Sequence, residues 1–380
     1  MNNVDNIRSI DVIIKLCSCA LNKSSFDKSM LDGVNIDELY DIAQKHMLAS
    51  MIGQILEANG IYSNKFKNAV AKAQRKIIIL ENDLKLIVSE LENSHIWYMP
   101  LKGAVLKDLY PDFAMREMSD IDVLFDSSRA EDVRMIMEKL GFQVKNYGVK
   151  NDDDYVKPPI SNFEMHRYLF YDKEEKILNS YYQNVINSIL VKDADNSFGY
   201  HLKAEDFYIY MIAHEYKHYK LSGTGLRSLI DTYIFINSYQ LDMDYVCEQT
   251  HAIGIDRFEK QNRSLAINLF SGNDLTENDL TMFDYIVSSG TYGTFDQRIE
   301  NSISKSGKKL NYVIRRVIGP IRKDDPYGAK FRNKYSTFFK YPVLLPFLPI
   351  YRLLNSLRYN PKRLKQEAVA ISKASTKEKK

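Results

Sequence analysis

Cysteine is scarce and odd in number: Cys17, Cys19 and Cys247 are the three in 380 residues. They form no CxxC pair and no Cys/His spacing of a zinc module, and a reducing cytoplasm is the simplest setting for so few thiols. Tryptophan occurs once, at Trp97, against 26 Tyr and 18 Phe. The first residues, MNNVDNIRSIDVIIKL, lack a basic start, an apolar core and a small-residue cleavage site, so no signal peptide is expected. The apolar run near the C-terminus is well short of the ~20 residues a bilayer span needs, and Pro342, Pro346 and Pro349 interrupt it. No internal repeat is present. What remains, 45% apolar and 27% charged residues, is the composition of an ordinary globular protein with room for two or three modules.

A formal net charge of +3 hides an asymmetry. Residues 305–380 carry 20 Lys/Arg and 4 Asp/Glu, a balance of +16, which leaves −13 for residues 1–304. An acidic body with a basic extension points to an anionic partner for the extension. Between Phe338 and Leu354 the extension is apolar and broken by proline. Arg315, Arg316, Arg322, Lys330, Arg332, Lys334, Arg352, Arg358, Lys362, Arg363 and Lys365 surround that run. Residues 305–365 can therefore rest on an anionic membrane surface. The alternatives are a run that packs back on the body with solvated basic residues, or nucleic-acid binding through interleaved aromatic and basic side chains.

Apolar spacing predicts helices over residues 6–60, and one long amphipathic helix over 65–94, which contains no Gly or Pro. A short strand over 95–101 feeds a Lys102-Gly103 turn and a helix over 104–109. Strands are expected over 121–125, 142–149 and 163–171, the last with Glu164, His166 and Tyr168 on one face. A helix over 129–140 ends at Gly141. Asp126 reads as a cap or turn residue, and residues 151–159 as a loop. Helices resume over 204–219, 225–238 and 244–253, and residues 371–380 read as disordered. Four regions follow: helical 1–94, a mixed strand-and-helix region 95–200, a helical region 201–304 and the basic extension 305–380.

The densest chemistry lies between Met99 and Phe125. Asp120 and Asp122 are two apart in an alternating apolar context, so they share one strand face about 6–7 Å apart. Such a pair can hold a hard cation, or is simply a solvated strand face. Gly103 lets the backbone approach a phosphate and Lys102 can meet its charge, although Lys-Gly is also a common turn. Arg116 can reach a triphosphate oxygen or pair with Glu117 or Asp112, and Ser119 can donate to a phosphate or cap a turn. His214-Glu215-x-x-His218 formally completes a zinc-peptidase spacing, but Lys217 and Lys220 beside it disfavour a cation.

Leu101-Lys102-Gly103, Met118-Ser119-Asp120-Ile121-Asp122 and Glu164-Met165-His166 together resemble the polymerase-β-like nucleotidyltransferase superfamily. More narrowly, the chain is similar to the uncharacterised bacterial nucleotidyltransferase family proteins, from about residue 10 to about residue 360. The resemblance implies an α+β or α/β fold, a mixed sheet flanked by N-terminal and C-terminal helical regions, with residues 95–200 as the catalytic core and 201–304 as a helical substrate-pocket region. It implies Asp120, Asp122 and Glu164 as catalytic metal ligands for Mg²⁺ or Mn²⁺. Lys102, Gly103, Arg116, Ser119, His166, His214, His218, Arg227 and Asp231 are then the nucleotide- or substrate-binding residues. His166 either meets the acceptor, helps position Glu164 or is a structural histidine, and His214, His218, Arg227 and Asp231 serve helix packing and the substrate pocket. Ala104 stands where the wider superfamily has Ser, which leaves Lys102 to substitute for the hydroxyl.

The expected activity is transfer of a nucleoside monophosphate from a nucleoside triphosphate to a hydroxyl-bearing acceptor, with release of pyrophosphate. The alternative is a catalytically inactive adaptor of the same fold that docks through its basic tail. The expected setting is cytoplasmic, with the membrane periphery open and nucleic acid the weaker partner.

Overall fold

The computed structural model describes residues 3–171, 175–291, 293, 299, 301–303, 309–318, 331–332 and 334–373. The chain divides into two units. The first comprises Met1–Lys217 with Thr224–Thr291, and the second His218–Gly223 with Tyr292–Lys380.

The first unit begins with helices α1 (Asn3–Leu21), α2 (Ile36–Lys45), α3 (Ala49–Ala58) and α4 (Asn64–Asn93). Asn35 caps α2 by accepting from the Asp37 amide at 2.9 Å. With no Gly or Pro to interrupt it, α4 runs for 30 residues and buries Phe66, Val70, Ala73, Ile77, Leu80, Ile87 and Leu91 along one stripe. Asp83 lies in that stripe and is satisfied there by Lys157 Nζ at 2.9 Å and by Ser161 Oγ.

The sheet follows: β1 (Tyr98–Pro100), α5 (Gly103–Leu106), β2 (Ile121–Phe125), α6 (Ala130–Lys139), β3 (Gln143–Asn146), β4 (Asp152–Lys157) and β5 (Ser161–His166). Its order is β1-β2-β5-β4-β3, with β2 and β5 parallel and the other pairings antiparallel. Two expectations need correction. Residues 152–157, read as loop, are a strand, and the strand expected over 163–171 ends at His166, so Tyr168 lies past it.

Period-two alternation sorts the two sides of the sheet. Ile121, Val123, Phe125, Tyr155, Phe163 and Met165 pack with Ala73, Ile77 and Leu80 of α4 and Val133, Ile136 and Met137 of α6. Asp122, Glu164 and His166 therefore fall on the opposite side. Beyond the sheet come α7 (Lys176–Ile189), the hairpin β6 (Leu190–Lys192) and β7 (Tyr200–Leu202), and α8 (Ala204–Leu221). Then follow α9 (Leu226–Ser238), α10 (Met243–Ala252), α11 (Asp256–Ser271) and α12 (Glu277–Ser289). Residues 206–213 of α8 are all buried, so this helix is a core element rather than an amphipathic cover.

In the second unit, α13 (Lys309–Ile318), α14 (Ser336–Lys340), α15 (Leu348–Tyr359) and α16 (Pro361–Lys373) occupy the basic extension. Arg316 Nε pairs with Glu367 Oε1 at 2.8 Å, joining α13 to α16. The expectations for Arg322, Lys330 and the disordered end of 371–380 fall wholly or mainly outside the described residues. Among the described residues no helix is long and apolar enough to cross a membrane.

Candidate active site

The site grows from the turn between β1 and α5. The Leu101 amide donates to the Asp122 carbonyl at 2.9 Å, continuing the β1–β2 pairing into the turn. Lys102 then adopts φ +39°, and its carbonyl accepts from the Val105 and Leu106 amides at 3.0 and 2.8 Å. A positive φ at a non-glycine residue is held only by its surroundings, and these bonds supply them. A Cβ on Gly103 would stand 2.7 Å from Arg116 Nη1, so only glycine lets the guanidinium lie against the turn.

The parallel register of β2 and β5 pairs Asp122 with Glu164 and Leu124 with His166. Asp122 is 7% exposed and receives two donors. Lys102 Nζ lies 3.1 Å from Oδ2, and His166 Nε2 lies 2.8 Å from Oδ1. The Asn151 side-chain amide approaches His166 Nδ1 at 3.2 Å and can only donate there if Nδ1 carries the lone pair. That assigns the proton to Nε2, which donates to Asp122. His166 thus orients Asp122, with Glu164 Oε2 farther away at 3.8 Å. Lys102 Nζ is also 2.9 Å from Nε2 of His214 on α8.

Carboxylates outnumber cations here. Burial raises the Asp122 carboxyl, but Lys102 and the His166 hydrogen bond overcome it and hold Asp122 well below the usual range. Burial and then the charge of Asp122 push Asp120 up, against a 3.1 Å hydrogen bond from Ser119 Oγ. Burial, Asp122 and Asp120 push Glu164 up to about 8. Asp152 and Asp154 on β4 face His166 and Glu164 across the ladder and add to the same side of the sheet. Burial raises Asp152 as well.

Such a surplus of buried negative charge is relieved by a cation. Asp122, Glu164 and His166 offer ligand atoms that all lie within 4.8 Å of one another. With His166 Nε2–H committed to Asp122, the available donors are carboxylate oxygens, which suit a hard divalent ion such as Mg²⁺ or Mn²⁺.

Other candidate residues are placed differently from the readings of their neighbours in sequence. Arg116 pairs with neither Glu117 nor Asp112. It is buried in a bidentate pair with Asp231 of α9, Nε–Oδ1 2.7 Å and Nη2–Oδ2 2.8 Å, and the Tyr110 hydroxyl donates to the same carboxylate at 2.8 Å. Arg227 donates to the Glu117 carbonyl at 2.8 Å and so ties α9 to the loop before β2. Glu215 of the His-Glu-x-x-His spacing is buried and accepts from Asn262 at 2.9 Å. His218 lies in the last turn of α8, which belongs to the second unit. Among the described residues the group suited to a metal is on β2 and β5, and does not include His214 and His218.

Sequence reasoning missed Asp152, Asp154 and Asn151. Their signal was the alternation of Asp152 and Asp154 with Asp153 and Tyr155, which are fully buried on the core side.

The five-stranded mixed sheet flanked by helices has the arrangement of a nucleotidyltransferase-like fold. No match is found among curated proteins or among solved structures. Residues 32–271, more than half of the chain, match the model of the uncharacterised nucleotidyltransferase family, and the chain belongs to that family.

Proposed function

We propose that this protein transfers a nucleoside monophosphate from a nucleoside triphosphate to a hydroxyl-bearing acceptor. The observation that carries the reading is the β2–β5 register, which sets Asp122 beside Glu164 with Lys102 against Asp122. The acceptor oxygen forms a bond to the α-phosphorus, and the bond from that phosphorus to the bridging oxygen breaks. Pyrophosphate leaves with the electron pair, and the acceptor proton passes to Glu164 and then to solvent. Divalent ions held by Asp120, Asp122 and Glu164 would supply charge neutralisation at the phosphates and lower the pKa of the acceptor hydroxyl. His166 fixes the orientation of Asp122, and Lys102 holds a positive charge beside it. The chemistry is mostly positioning and electrostatics.

The test is incubation with each α-labelled triphosphate and magnesium, with protein alone and with cell extract, scoring label transfer and pyrophosphate. Asp122→Asn should lower the rate by about 10²–10³-fold, the size of effect seen when one preorganised electrostatic group is lost. Equal rates in variant and parent defeat the assignment. Absence of turnover in both favours the inactive adaptor.

A second reading concerns the basic extension. Ile350, Leu353, Leu354 and Leu357 are spaced as one face of α15, and each is more than half exposed. Residues 331–366 hold eight Lys/Arg and no Asp or Glu. An apolar helical stripe in a basic segment suits an anionic membrane surface on the cytoplasmic side, each basic residue contributing about 1 kcal/mol. The full-length protein should sediment with anionic vesicles, not neutral ones, and Leu353→Asp with Leu354→Asp should abolish this while sparing label transfer. Binding that follows added RNA instead of vesicles would replace the membrane by nucleic acid.

A further inference from the structure

Tyr210 and His214 are spaced i, i+4 on α8 and so share one face of that helix. Their ring centroids are 6.3 Å apart. His214 Nε2 lies 2.9 Å from Lys102 Nζ, which in turn lies 3.1 Å from Asp122. Tyr210 is 0% exposed. Its ring packs edge-on against Phe170, Tyr182 and Phe207, with centroids 6.0, 6.2 and 6.4 Å away, and packing of this kind fixes where the hydroxyl stands.

A buried tyrosine hydroxyl usually finds a partner, and one left without a partner carries its full desolvation penalty. The Tyr210 hydroxyl has no hydrogen-bond partner among the described residues. It nevertheless stands in the field of two acids. Burial, then Asp122, then Glu164 push its ionisation well above the ordinary range, so it remains a donor. Tyr182 supplies the contrast within the same aromatic cluster. Its hydroxyl is also buried and unpartnered among the described residues, but after burial the charges that act on it are those of Tyr181, Tyr210, Asp206 and Tyr245. The reaction offers the Tyr210 donor a partner. As the acceptor oxygen passes its proton to Glu164, it gains a lone pair and negative charge. A fixed donor placed where charge develops acts on the transition state more than on the bound state.

We propose that Tyr210 is a further catalytic residue: its hydroxyl donates to the acceptor oxygen while that oxygen bonds to the α-phosphorus and yields its proton to Glu164. The phenol keeps its own proton throughout. The proposal rests on the nucleotidyl-transfer reading.

Label transfer from α-labelled triphosphate to cell extract is followed with the full-length protein at saturating extract. Affinity for the α,β-methylene analogue of the same triphosphate is measured calorimetrically in magnesium, and the unfolding midpoint by thermal denaturation. Tyr210→Phe keeps the ring and loses only the hydroxyl. Its maximal rate should fall by about 10²-fold, the order expected for one donor lost from a developing oxyanion. Analogue affinity and unfolding midpoint should not change, because the hydroxyl has no partner to lose in the resting protein. Tyr182→Phe removes an equally buried hydroxyl and should alter none of the three readings. An unchanged rate in Tyr210→Phe overturns the proposal and leaves the nucleotidyl-transfer reading in place. A loss of analogue affinity in step with the rate assigns the hydroxyl to the nucleotide and also overturns it. A midpoint lowered by Tyr210→Phe but not by Tyr182→Phe marks a structural hydroxyl, with the same consequence. Absence of label transfer in the parent removes the reading itself, and the proposal with it.

Discussion

Around Asp231, one guanidinium and one tyrosine hydroxyl meet one carboxylate; around Asp122, one ammonium is set against Asp120, Asp122 and Glu164. Both groups are buried in the first unit, and both are tied to the helices that follow the sheet. In the first, Arg116 and Asp231 are matched in charge and in geometry. Although burial opposes its charge, the guanidinium is held more firmly protonated by Asp231, and burial with Asp231 pushes the Tyr110 hydroxyl far up. In the second, burial and the charge of Asp122 push Asp120 and Glu164 up, and Glu164 reaches about 8. A matched pair that needs nothing further is a fastening, here joining the loop before β2 to α9. A cluster with charge left over is where a ligand lowers the free energy, and Gly103 lets the fastening sit directly behind it.

The largest expected effect breaks the fastening. Removing one partner of a buried ion pair leaves the other charge uncompensated, at a cost of about 3–5 kcal/mol. Asp231→Ala should therefore lower the unfolding free energy by that amount in urea titrations. Arg116→Met combined with Asp231→Leu should recover most of the loss, because two apolar residues of similar volume leave no buried charge. A near-neutral Asp231→Ala would mean that Arg116 finds solvent or another acid, and the distinction between the two clusters would collapse.

What the sequence discloses about these clusters depends on distance along the chain. Helix α4 is legible because thirty residues without Gly or Pro carry one apolar stripe. Strand β2 is legible because Ile121, Val123 and Phe125 alternate with Asp122 and Leu124. Asp126 is legible as a cap, and its Oδ1 accepts from the Ser128 amide at 3.0 Å. Strand β4 is not, since Asp152-Asp153-Asp154 is composed of a residue that strands disfavour, and its pairing with β5 overrides that preference. Arg116 finds its partner 115 positions away, where local reading offers only Asp112 and Glu117. Asp122 and Glu164 are individually visible, but that His166 serves Asp122 follows from the register of two strands.

A smaller effect of opposite sign sharpens the comparison at Glu164. Its carboxyl is raised from an ordinary 4.5 to about 8, so without divalent cation the folded protein holds this proton more tightly than the unfolded chain does. The sign follows from linkage: the contribution of Glu164 to stability is fully present below about pH 4.5 and is lost as pH rises to about 8, because ionisation is resisted only in the folded state. Glu164→Gln should remove that decline. The side chain is 32% exposed, so solvent screening reduces the effect, and a gain of about 1 kcal/mol at pH 8 in EDTA is expected. Magnesium should flatten the parent profile in the same way, since a bound cation favours the carboxylate, and it should do little to the variant. Unfolding free energies at pH 5 and pH 8, with EDTA and with magnesium, provide the test. If Glu164→Gln is less stable than the parent at pH 8 in EDTA, the carboxylate is already compensated by protein groups. The side of the sheet bearing Asp122 would then be a second fastening like that of Arg116 and Asp231.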